Sequence, residues 1–71
     1  MTRVSFSRAE SRVEAGVIRL LAERGEMSSG ALAGLLGVSK PTVLRALESL
    51  ASRGAVEAVG RGRARRYRLA Y

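Results

Sequence analysis

Residues 28–53 read SSGALAGLLGVSKPTVLRALESLASR, and this stretch decides the fold. Two short helical patterns meet here across three residues, Gly37, Val38 and Ser39. Ser28 is placed as the N-cap of the first, with Leu32, Leu35 and Leu36 as its apolar residues. Gly37 supplies the left-handed conformation that ends a helix and lets the chain reverse at once. Val38 is apolar and suits the corner between the helices, and Ser39 caps the next one. That helix opens Lys40-Pro41, where proline is tolerated because a first-turn N–H has no intrahelical partner. Val43, Ala46, Leu47 and Leu50 fall on one face and form its predicted core side. Lys40, Pro41, Thr42, Leu44, Arg45, Glu48, Ser49 and Ser52 lie off it. Gly54 is the expected stop.

Upstream, Val13, Val17, Ile18, Leu20 and Leu21 share a broad helical face ending at Arg24-Gly25. Two overlapping capping boxes, Ser7 with Glu10 and Ser11 with Glu14, leave its start open between Ser7 and Ser11. Gly16 lies inside the pattern at a cost of roughly 1 kcal/mol; it either permits a close helix contact or, the plainer reading, is merely tolerated. Glu26-Met27 has room only for a bridge or a one-pair strand. Downstream the period changes. Ala55 to Val59 reads as a short strand and Gly60-Arg61-Gly62-Arg63 as a turn. From Arg65 to Ala70, Tyr67 and Leu69 alternate with Arg66 and Arg68. The expected fold is mainly α with a small β-hairpin. Residues 1–10 form an arm or the start of the first helix, and residues 11–71 form one domain.

Composition excludes much. The 71 residues hold no Cys, His, Asp, Asn, Gln or Trp. Disulfides, thiolate or imidazole metal sites, and nucleophile–base pairs built on His or Cys are therefore impossible. The six glutamates are scattered among basic residues, which argues against a paired-carboxylate site. Gly30, Gly34 and Gly37 lack the spacing and the Gly-Lys-Ser/Thr ending of a phosphate loop. No enzyme, cofactor or metal is expected. No run approaches the ~18 apolar residues of a membrane span, and Met1 to Glu10 lacks the apolar region of a secretory signal. A cytoplasmic, nucleoid-associated protein is expected.

The charge is +7 and unevenly spread. Residues 1–60 carry eight basic and six acidic side chains, a net of +2; residues 61–71 carry five arginines and no acid, a net of +5. One-signed charge at one end points to a polyanionic partner.

The run Leu32-Ala33, Leu36-Gly37-Val38-Ser39, Thr42-Val43, Leu47 and Leu50 resembles the helix-turn-helix of prokaryotic winged-helix regulators of the MarR, ArsR and IclR types. Gly54 with Val56, Gly60-Arg61-Gly62-Arg63 and Arg66-Tyr67-Arg68-Leu69 are similar to their wing. The resemblance covers roughly residues 12–70. It implies a three-helix winged helix-turn-helix, in the order helix, short strand, helix, helix, two-stranded wing. Double-stranded DNA is the implied partner. The ligand pockets and dimerisation helices of larger relatives have no counterpart.

A helix so presented enters a major groove with its first turns. The candidate contacts on helix 40–53 are Ser39, Lys40, Pro41, Thr42, Leu44, Arg45 and Ser49. Which of Lys40, Thr42 and Arg45 reads bases stays open, as does whether Leu44 touches a thymine methyl or flanks the core. Without Asn or Gln the usual bidentate reader of adenine is missing. On the wing, 60–66, Arg61 and Arg63 at the tip and Arg65 and Arg66 beyond it are candidates for phosphates or a narrow minor groove. For Arg66 and Arg68 the plainer role is protection of a strand edge. Tyr67 is a candidate for stacking on a base, but its alternation with Leu69 favours the core. About five neutralised phosphates correspond to a salt slope near −4 to −5.

The leading expectation is a transcriptional regulator, a repressor acting as a homodimer on a pseudo-palindromic site, with residues 1–11 and the outer face of the first helix as interface. One alternative is a DNA-binding module of a longer protein, since the wing is similar to that of some HipA-like toxin kinases. Another is a winged helix serving protein–protein assembly.

Overall fold

In the computed structural model the described residues are 8–71. Helix α1 spans Arg8–Arg24, strand β1 Glu26–Met27, helix α2 Ser29–Leu36, and helix α3 Lys40–Ser52. Strand β2 (Val56–Val59), a 3-10 turn (Gly62–Ala64) and strand β3 (Arg66–Leu69) complete the chain. Ser11 lies three residues inside α1, so the later of the two expected starts is not used; Ser7 lies outside the described residues.

The helix-turn-helix forms as its residues require. The Ala31 N–H donates to Ser28 Oγ at 3.1 Å, which caps α2. Gly37 adopts φ +70°, and its N–H donates to the Ala33 carbonyl. Val38 packs partly buried against the core at the corner. The Thr42 N–H donates to Ser39 Oγ at 3.4 Å and starts α3. At the far end Gly54 takes φ +78° while the Ala55 N–H returns to the Leu50 carbonyl, turning the chain into β2.

The core lies where the three helices meet the sheet. Val17, Leu32 and Val43 are fully buried, with Leu21, Leu47, Leu50, Met27 and Val56 closing around them. Burying such side chains contributes about 1.5–3 kcal/mol each before entropy is counted. Leu35 departs from expectation and stays 54% exposed, while Ala33 is buried. Ala33 and Leu36 flank Leu32 on the buried side of α2, and Leu35 falls about 100° from the middle of that face. At Gly16 a Cβ would stand 2.6 Å from Leu36 Cδ2, so the bare glycine leaves room for the tip of the Leu36 side chain as it now sits.

The wing is part of a three-stranded antiparallel sheet in the order β1-β3-β2. Met27 pairs with Tyr67 and Glu26 with Arg68; Val56 pairs with Leu69 and Glu57 with Arg68. Two-residue β1 therefore converts a bare hairpin into a sheet with β3 at its centre. Tyr67 and Leu69 face the core, and Arg66 and Arg68 the opposite side, as the two-residue strand period demands.

Candidate nucleic-acid interface

Helix α3 and the sheet enclose a groove open to solvent. Pro41, Leu44, Arg45, Glu48 and Ala51 form its helical wall, and Ala58, Arg65 and Tyr67 the opposite one. A second cleft adjoins it. Ser28, Ser29 and Gly30 at the start of α2, Lys40 of α3, and Gly62 and Arg63 of the wing line this one. Leu44, Arg65 and Tyr67 border both, so the two are one continuous surface.

Local chemistry explains each placement. Lys40 stands at the exposed end of α3 because Ser39 and Pro41 start the helix there. Arg45 follows on the side away from Val43, Ala46, Leu47 and Leu50. Arg63 sits inside the 3-10 turn rather than in a plain hairpin turn, and this compact turn brings Arg63 and Arg65 toward α3. Gly60 makes it possible: its φ is +81°, and a Cβ would lie 2.5 Å from the Ala64 carbonyl oxygen. The amino end of α2 adds the positive end of its dipole to the same cleft.

The candidates do not all gather. Lys40, Pro41, Leu44, Arg45, Arg63 and Arg65 line the continuous surface. Arg61 is exposed at the turn just before Gly62. Ser39 and Thr42 are engaged with each other, their hydroxyls 2.9 Å apart. Ser49 is on the far flank of α3, where its Oγ accepts from Arg53 Nη2 at 3.4 Å. Arg66 lines neither cleft and belongs to the outer face of the sheet.

Acids sort the arginines further. Arg68 donates to Glu57 at 2.6 Å and lies 3.9 Å from Glu26, an ion-pair ladder across all three strands. Arg53 of the α3 cap is tied to Glu14 of α1. Two arginines are thus neutralised away from the groove, and Lys40, Arg45, Arg63 and Arg65 are left to set its potential. Tyr67, weighed in the sequence as a stacking residue but ranked as core, lines both clefts; the start of α2 and Glu48 were passed over. Glu48 had one visible signal, its four-residue spacing from Leu44 and Lys40.

A capped helix pair, an exposed third helix and a basic β-wing beside it define a winged helix-turn-helix domain. The chain belongs to the family described as transcriptional regulator DIP2311-like, C-terminal domain, whose model matches residues 7–70. The structure of the DIP2311 protein from Corynebacterium diphtheriae is similar, with a TM-score of 0.80 and 33% identity. That match covers 89% of this chain and 11% of the other, so the chain spans about a ninth of that protein's length. The Zalpha domain of Carassius auratus PKZ, solved in complex with Z-DNA, matches with a TM-score of 0.77 and 26% identity, covering 86% of this chain and 97% of that one. The apo-Zalpha domain of zebrafish PKZ matches at 0.81 and 23%, over 89% and 98%, and supports the fold alone. No curated protein matches the sequence. The winged helix-turn-helix class and this regulator family are what is shown; a specific tie to the MarR, ArsR or IclR types is not.

Proposed function

We propose that residues 11–71 are a double-stranded DNA-binding unit of a transcriptional regulator, a repressor in the simplest case. Helix α3 enters the major groove through Pro41, Leu44 and Arg45. Lys40, Arg61, Arg63 and Arg65 hold the backbone on either side. The observation that carries the proposal is the continuity of the two clefts: α3 and wing put four cations on one surface. An assembly domain has no need of that charge. Ser39 and Thr42 serve chiefly to fix the start of α3, and Ser49 and Arg66 act at most as weak, long-range contributors. A homodimer would place two such surfaces on a pseudo-palindromic site.

A second DNA form is favoured by one specific likeness, the Carassius auratus Zalpha domain solved with Z-DNA. A left-handed duplex exposes a zigzag of phosphates, which a cationic groove short of base-reading amides suits. Titration of three labelled probes tests both forms: a mixed-sequence B-form duplex, a brominated alternating CG duplex held in the Z form, and a single strand. Salt-dependent binding to the B-form duplex above the others is the expected result. Preference for the Z-form duplex would move the function to that conformer, and equal indifference to all three would refute DNA binding.

A further inference from the structure

Three of the described acids are held by arginines. Glu14 is bound to Arg53, and Glu26 and Glu57 flank Arg68. Glu48 is different. It is exposed on the groove wall between Leu44 and Ala51, opposite Arg65 and Tyr67. Among the described residues it has no ion pair and no side-chain hydrogen bond. An unpaired carboxylate on one wall of a polyanion-binding surface repels phosphates and weakens binding unless it meets a donor.

Chemistry narrows the donor. A carboxylate accepts hydrogen bonds and gives none. In the major groove the donors are cytosine N4 and adenine N6. Adenine N6 lies between two acceptors, its own N7 and thymine O4, whose lone pairs repel a carboxylate; cytosine N4 has a C–H on one side and an acceptor, guanine O6, only on the other. Phosphates are not the target, because a carboxylate and a phosphate diester are both anions and neither has a proton to donate. We infer that Glu48 is a specificity-determining residue that accepts a hydrogen bond from the N4 amine of a cytosine. The inference rests on the DNA-binding function proposed above, with α3 in the major groove. It supplies a base reader to a helix that has neither Asn nor Gln.

The test is selection from a library of random-sequence duplexes by the wild-type chain, Glu48→Ala and Glu48→Gln, with thermal unfolding of each as a control. Glu48 is exposed, so all three are expected to fold alike. The wild type should enrich sites with a cytosine at one fixed position. Glu48→Ala should lose that preference by about tenfold and keep the rest of the motif. Glu48→Gln should move the preference at that position to adenine, which an amide reads bidentately. The same cytosine in the Glu48→Ala motif would overturn the inference. So would a uniform gain in affinity for every duplex, which would make Glu48 a bare charge. Salt-dependent wild-type binding with no enriched cytosine removes the role of Glu48 and leaves DNA binding standing. Retention of no duplex by any of the three removes both.

Discussion

Replacing Arg63 and Arg65 together by alanine should flatten the salt dependence of duplex binding, whereas replacing Arg68 should not. Five cations stand on or beside the continuous surface: Lys40, Arg45, Arg61, Arg63 and Arg65. Each phosphate neutralised, by Arg45 inside the groove as well as by the four backbone contacts, contributes about −0.9 to the slope of log affinity against log salt, so the wild type should show about −4.5. A fourfold rise in salt, from about 50 to 200 mM, then costs about 500-fold in affinity. The double variant keeps three cations, a slope of about −2.7 and a loss of about 40-fold over the same range. Arg68 carries the same formal charge, but Glu57 and Glu26 already occupy it on the outer face of the sheet. Arg68→Ala should therefore keep the wild-type slope. Fluorescence anisotropy with one labelled duplex at five salt concentrations measures all three. A double variant with the wild-type slope, or an Arg68→Ala slope as flat as the double variant's, would refute the assignment of the binding face.

Two stability predictions follow from the packing. Gly60→Ala forces a side chain into a positive φ and against the Ala64 carbonyl, and should cost about 1–3 kcal/mol while loosening the wing, read as a lowered denaturation midpoint and weaker duplex binding. Leu32→Ala empties a fully buried site shared by all three helices; a loss of about 2–5 kcal/mol is a large part of the stability of so small a domain, and circular dichroism should show a substantially unfolded chain at room temperature.

Much of the fold was legible because it depends on local chemistry. Ser28, Gly37, Ser39 and Gly54 act on backbone groups within a few residues of themselves, so the positions of α2, α3 and the turn between them follow from residue type and spacing alone. The face of α3 that is buried follows equally from its period, and so does the exposure of Lys40, Leu44 and Arg45. The lean of α2 did not: that Ala33 is buried and Leu35 54% exposed is set by where α2 packs on the rest of the core, which joins segments distant in sequence.

The sequence by itself determined the class of fold, the bounds of α2 and the start of α3, and the excess of arginine near one end. Only the tertiary structure decided which arginines are free. Arg65 and Arg68 are indistinguishable as letters in a basic run, yet one lines the groove and the other is held by two glutamates, one of them 42 positions away in sequence. The reason is physical: helix caps and strand periods are set within a few bonds, whereas a side chain's charge is tuned by whatever the folded chain brings beside it.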